Sequence, residues 1–90
     1  MATIRELENL VKRINRITGN PETPYTKKED GSFVANIGNY HLSGAYGGYG
    51  LHKMVSNGGR IYDIFGGYMP ARELYGKLSA FLMGLNYNNK

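Results

Sequence analysis

Apolar residues recur at helical spacing near both ends of the chain. Ile4, Leu7, Leu10, Val11, Ile14 and Ile17 form one stripe and predict a helix over 3–18. Thr3 and Glu6 match the S/T-x-x-E capping box, in which each side chain satisfies the other's unpaired backbone N–H. Gly19 suits the left-handed position after the last turn, and Pro21 blocks continuation. A second stripe, Ala71, Leu74, Tyr75, Leu78, Phe81, Leu82 and Leu85, predicts a helix over 70–85. Pro70 fits its first position, where a missing N–H costs nothing. Gly84 lies near the end, and 86–90 read as a frayed tail.

Between the helices the pattern changes to alternation broken by turn pairs. Glu29-Asp30-Gly31-Ser32 reads as a turn, preceded by a short edge strand at 25–28. Gly38-Asn39, Gly47-Gly48 and Asn57-Gly58 fit two-residue hairpin turns, which implies a meander of strands 33–37, 40–46, 49–56 and 59–65. Such turns fix register. They set Ala35 opposite Leu42 and Ile37 opposite Tyr40, then Leu42 opposite Lys53 and Ser43 opposite His52, then Leu51 opposite Ile64 and Lys53 opposite Tyr62. One face then carries Phe33, Ala35, Ile37, Tyr40, Leu42, Tyr46, Tyr49, Leu51, Val55, Tyr62 and Ile64. The other carries Val34, Asn36, His41, Ser43, Ala45, Gly50, His52, Met54, Ile61, Asp63 and Phe65. The first is the more apolar and should receive both helices. The expected fold is α+β, an antiparallel three- to five-stranded meander with both terminal helices on one face in the order α-β-β-β-β-α. No remaining element covers the other face. A three-residue loop at 57–59 would instead slip the last strand and exchange its faces.

Ninety residues make one domain, 1–90. With no cysteine there is neither a disulfide framework nor a thiolate metal site. No apolar run approaches the ~20 residues that span a bilayer, and Met1–Glu6 lacks a secretory apolar core, so the expected location is the cytoplasm, with no membrane partner. Eleven basic against seven acidic residues give a net charge of +4, compatible with nucleic acid or an acidic protein partner and requiring neither. The 13 glycines imply many tight turns.

The register aligns Ser43, His52 and Asp63 across three strands, the composition of a nucleophile–base–orienter triad. No nucleophile elbow accompanies them, and a polar cross-strand ladder explains them better. His41 and His52 come out offset, without the spacing of a metal site. Gly66-Gly67 with Arg72 at a helix start fits an anion site, but no P-loop pattern is present, and a flexible turn suffices. Tyr46, Tyr49 and Tyr68 fall near the sheet edge and suit a protein interface, whereas Tyr40 and Tyr62 fall in the core or at its rim. No catalytic, cofactor-binding or metal-binding residue is assigned, and an enzyme is not expected.

The order helix, antiparallel strands, helix resembles the double-stranded-RNA-binding domain, as do Asn20-Pro21 and Pro24-Tyr25 after the first helix. That family begins its last helix with lysines that contact phosphates. Here Gly66-Gly67-Tyr68-Met69-Pro70-Ala71-Arg72-Glu73 has one arginine and no lysine, so those contacts do not carry over. Separately, Asn39-Tyr40-His41-Leu42-Ser43-Gly44-Ala45-Tyr46-Gly47-Gly48-Tyr49 and Pro70-Ala71-Arg72-Glu73-Leu74 resemble a small protein family of tailed-bacteriophage genomes. The resemblance implies an accessory protein of the host cytosol that binds and modulates or inhibits host machinery.

The expected function is therefore protein binding without catalysis, for example to a host-defence component. The expected contact residues are His41, Ser43, Tyr46, Tyr49, His52, Met54, Ile61, Asp63 and Phe65. The same face would alternatively form a homodimer. The alternative function is nucleic-acid binding by Arg5, Lys12, Arg13 and Arg16 with Lys53 and Arg60.

Overall fold

A computed structural model describes residues 3–88. Helix α1 (Ile4–Thr18) forms with both expected caps. Glu6 N–H donates to Thr3 Oγ1 at 3.2 Å, and Thr3 N–H donates to Glu6 Oε1 at 2.9 Å. Gly19 turns left-handed at φ +72° and lets Asn20 N–H reach the Asn15 carbonyl at 2.9 Å. Helix α2 (Ala71–Asn88) starts one residue later than expected. The Pro70 carbonyl accepts from Leu74 N–H at 3.1 Å, so proline is the cap and not the first helical residue. The helix runs through Asn88 where a frayed tail was expected from residue 86, and residues 89–90 lie outside the described residues.

Five antiparallel strands lie between the helices, so the fold is α+β. They are β1 (Tyr25–Lys27), β2 (Phe33–Ala35), β3 (Tyr40–Ala45), β4 (Gly48–Met54) and β5 (Ile61–Asp63). They form two sheets where one meander was expected: β1 pairs with β2, and β3-β4-β5 stand apart. The break lies at 36–39. Asn36 N–H bonds the Pro24 carbonyl at 2.8 Å, and its side-chain amide holds the Thr23 carbonyl at 2.9 Å, which ties β2 to the chain before β1. Gly38-Asn39 then makes no hairpin. Gly38 N–H and the Asn39 carbonyl bond Met54 instead, each at 2.8 Å, and extend β3 along β4. Gly38 holds φ +96°, and a Cβ there would collide with the Asn20 side chain.

The β3–β4 turn is Tyr46-Gly47, both left-handed at φ +54° and +74°, and not Gly47-Gly48. Leu42 therefore faces Leu51, and His41 faces His52. Each partner moves by two residues from expectation, so the side chains within β3 and β4 keep their faces, while Tyr46 leaves the strand for the turn. The β4–β5 register is as expected, with Lys53 opposite Tyr62. Its turn closes on Gly59 at φ +94°, whose N–H reaches the Ser56 carbonyl at 3.2 Å.

Helix α1 packs on β3, α2 packs on β4, and the helices pack on each other. Leu7, Leu10, Val11 and Ile14 meet Leu74, Leu78 and Leu82 over Tyr40, Leu51 and Met69, with Leu42, Tyr49 and Ile64 at the rim. Each fully buried leucine contributes ~1.5–3 kcal/mol. Phe33, Ile37, Tyr46, Val55 and Tyr62, expected under the helices, are exposed instead. Tyr62 on β5 is thus not a core residue. Among the described residues no helix is long and apolar enough to cross a membrane.

Candidate interaction surface

The side of β3 and β4 away from the helices is not bare. After β5 the Asp63 carboxylate accepts Gly66 N–H at 3.1 Å. Gly66 and Gly67, at φ +77° and +137°, reverse the chain. Met69 then pairs with Tyr49 through two backbone bonds of 2.8 and 2.9 Å, and Tyr68 lies across the sheet between them. Two glycines make room. A Cβ on Gly50 would stand 2.8 Å from the Gly67 oxygen and 3.6 Å from the Tyr68 ring, and one on Gly48 would stand 2.9 Å from the Met69 oxygen. The glycine pair after β5 thus seats Tyr68, and no anion site is needed to explain it.

Four rings form a row on this face. His41 and His52 meet edge to face with centroids 5.8 Å apart, His52 and Tyr68 at 6.0 Å, and Tyr68 and Tyr46 at 5.8 Å. The hydroxyls of Ser43 and Tyr68 are hydrogen-bonded at 3.0 Å. At the far end Asn39, fully buried, donates its amide to the Pro21 carbonyl at 2.9 Å. That bond turns Asn39 Oδ1 toward His41 Nδ1, 3.1 Å away, so a neutral His41 carries its proton on Nδ1. Partial burial, and then the charge of His52, lowers the His41 pKa below its ordinary value, which favours the neutral ring. Tyr46 ends the row 96% exposed.

His41, Ser43, His52 and Asp63 are thus brought to one face as the sequence implied, and Tyr46, expected on the helix side, joins them from the turn. Ile61 is exposed opposite Met54. Three other expected contact residues are not there. Met54 is 1% exposed. The β1–β2 hairpin lies against that end of the sheet, with the Tyr25 hydroxyl beside Gly59, and Ala35 and Met54 are both buried outside the helix-side cluster. Tyr49 shares the parity of Leu51 and packs at the rim of the helical core. Phe65 follows the last strand bond, Ile64 N–H to the Leu51 carbonyl at 3.0 Å, and swings to the helix side, 6.1 Å from the Phe81 ring centroid.

The triad composition does not become a triad. Ser43 faces Gly50, its hydroxyl is engaged by Tyr68, and the Asp63 carboxylate is engaged by Gly66. His41 and His52 are directly opposed, not offset, yet no group of three metal-ligating side chains occurs among the described residues. Of the basic residues, Arg5, Lys12, Arg13 and Arg16 are exposed on α1, and Arg16 pairs with Glu22 at 3.7 Å. Lys53 is on the helix side of β4, its ammonium 5.3 Å from the Tyr40 ring centroid, and Arg60 lies at the β4–β5 turn.

Sequence reasoning missed Tyr68 as the centre of the row and Asn39 as its anchor. The signal for Tyr68 was in the chain: two glycines before it permit a reversal, and Gly48 and Gly50 leave a gap on the face it crosses. No protein-family model, curated protein or solved structure matches this chain.

Proposed function

We propose that this protein is a small protein-binding module that acts stoichiometrically, without catalysis, through the row Tyr46–Tyr68–His52–His41. Tyr46 carries the reading. A tyrosine in the left-handed region costs about 1 kcal/mol against glycine, and asparagine or glycine is the ordinary choice at this turn position. The fold gains no burial from the ring, which is almost fully exposed. An exposed aromatic held at such a site suits an interface anchor, because binding energy concentrates in tyrosine, tryptophan and arginine. Ser43, His52 and His41 supply the polar groups beside it. For a protein of the kind met in tailed phages, the partner would be a host protein such as a defence component.

Tyr46→Asn tests this, since asparagine tolerates the same backbone and the fold should survive. Capture from host lysate should recover one stoichiometric protein with the parent chain and lose it with Tyr46→Asn, while Arg13→Glu retains it. Equal recovery by all three chains, or recovery of no protein, would refute the reading. The nucleic-acid alternative draws on the exposed cations of α1, but Lys53 is occupied over Tyr40 and Arg16 by Glu22. It requires retention on DNA or RNA that falls steeply with salt and is lost with Arg13→Glu.

A further inference from the structure

In an antiparallel strand, successive residues direct their N–H and C=O alternately toward one neighbour and the other. Three observations fix that alternation in β3 and β4. Tyr40 N–H donates to Asn15 Oδ1 at 2.8 Å, and the Tyr40 carbonyl accepts from Asn15 Nδ2 at 2.9 Å, so Tyr40 turns its backbone away from β4. Tyr49, opposite Gly44, bonds Met69 on the β5 side. Leu51, opposite Leu42, gives its carbonyl to Ile64 on the same side. Leu42 and Gly44 therefore also point their backbone groups outward, along the free edge of the sheet. Among the described residues nothing meets them.

We propose that the outer edge of β3 at Leu42 and Gly44 is a docking site for a short, extended, acidic segment of a partner protein, which adds to the sheet as a strand. Up to four backbone hydrogen bonds would form there, the mode in which main-chain bonds give affinity and side-chain pockets give selectivity. A groove of about 460 Å³ runs beside this edge, walled by Arg5, Glu8 and Lys12 of α1 together with Glu22, and floored by Tyr40 and Leu42.

The slot is short. The Asn15 amide closes it at Tyr40, and the Tyr46-Gly47 turn closes it beyond Ala45. At about 3.3 Å per residue it takes three or four residues of strand. The same edge of a second copy is no longer than this slot, but it is tied to its own hairpin and carries its own α1 packed on β3. Two chains of +4 also repel. A flexible segment has neither problem. The charge of the wall sets its chemistry: Glu22 is paired with Arg16, while Arg5 and Lys12 outnumber Glu8. An acidic side chain on the helix side of the added strand would meet that excess.

This edge lies in the plane of the sheet, apart from the aromatic row, so the two readings fail separately. A displayed library of random octapeptides, selected on the intact protein, is the test. The selected peptides should carry Asp or Glu at alternate positions. Two variants, each first shown to be folded by circular dichroism, should bind them at least tenfold more weakly. Gly44→Pro removes an outward N–H, and the nearest atoms to a Cβ there are 3.8 Å away, so an edge proline is tolerated. Arg5→Glu/Lys12→Glu reverses the wall. Tyr46→Asn should leave peptide affinity within twofold. Bound peptides should slow amide exchange at Leu42 and Gly44. The proposal is overturned by an empty selection, by peptides that bind both variants undiminished, or by a basic pool. It is also overturned if the protein alone protects those two amides as its concentration rises, which would make a second copy the occupant.

Discussion

Asn15 is the residue whose loss should reveal most about how helix and sheet are joined. It is 1% exposed and bonds both backbone groups of Tyr40, at 2.8 and 2.9 Å. Its amide thus acts as a one-residue strand partner, donor facing acceptor and acceptor facing donor. Asn15→Ala strands the N–H and C=O of a buried residue. Each orphaned group costs roughly 1–3 kcal/mol, with water entering the vacated space at the lower end. Two such groups span roughly 2–6 kcal/mol, and water reaching them keeps the pair to about 2–4 kcal/mol. A 90-residue domain has on the order of 5–13 kcal/mol of stability, so the loss is a large fraction. At ~4–8 °C per kcal/mol for a domain of this size, Tm should fall by on the order of 10–30 °C. Asn15→Asp separates bonding from volume. Its carboxylate still accepts from Tyr40 N–H but faces the Tyr40 carbonyl with a charge. Relative to the parent chain this variant should be unstable at neutral pH and recover as acid protonates the carboxyl. Asn9→Ala on the same helix is the exposed control and should stay within ~0.5 kcal/mol. Urea unfolding of the four chains decides it. An Asn15→Ala loss no larger than that of Asn9→Ala would mean that the two bonds stabilise nothing.

Gly50→Ala places a methyl against the Gly67 carbonyl and should cost roughly 1–3 kcal/mol by overpacking, with a matching loss of near-ultraviolet tyrosine dichroism as Tyr68 lifts. An unchanged Tm would show that the 66–69 loop does not rest on the sheet. Met54→Ala should cost ~2–5 kcal/mol as a buried truncation, and truncation of its exposed partner Ile61 well under that; equal effects would contradict the burial described for Met54. The lowered His41 pKa makes the unfolded chain take up the proton first as pH falls. Stability should therefore be lost as pH drops below about 6.5, the ordinary histidine value, and level off once the folded ring is also protonated. His41→Gln should flatten the denaturation midpoint between about pH 7.5 and 5.5, and an unaltered slope would remove His41 as its source.

Both helices were legible because each carries a stripe and local end signals. Thr3, Glu6 and Gly19 act within one turn of their own position, and no distant contact competes with them. The faces of β3 and β4 were legible for a less secure reason. Two glycines look more permissive than Tyr46-Gly47, so the pattern puts the turn one residue late, on Gly47-Gly48. That error moved each partner by two residues, and a period of two restores the parity. The pairing of β2 was not legible. A Gly-Asn dipeptide reads as a hairpin turn, but Asn36 reaches back to Thr23 and Pro24, and Gly38 and Asn39 are taken by Met54. These are contacts between residues distant in sequence, which no local pattern encodes. Met54 and Phe65 were misplaced for related reasons. One is covered by a hairpin that was expected to lie in the main sheet. The other lies just past the end of its strand, where alternation no longer governs direction.

The displaced β2 also accounts for the open edge. Had β2 paired with β3, Leu42 and Gly44 would have been satisfied from within the chain. With β2 turned toward β1, the only substitute among the described residues is the Asn15 amide, and it reaches Tyr40 alone. Proteins ordinarily blunt such an edge with an inward charge, a proline, a bulge or a covering element. Among the described residues none of these protects Leu42 or Gly44, although α1 is near enough to satisfy Tyr40. A single arginine or lysine in β3 would have served. The stretch that remains instead carries no charge, and after Leu42 it holds serine, glycine and alanine, small residues that let another backbone approach, with Arg5 and Lys12 on the adjoining wall. On the docking proposal, an edge left uncharged beside a helix that carries charge would select a strand of opposite sign over a second copy of this basic chain.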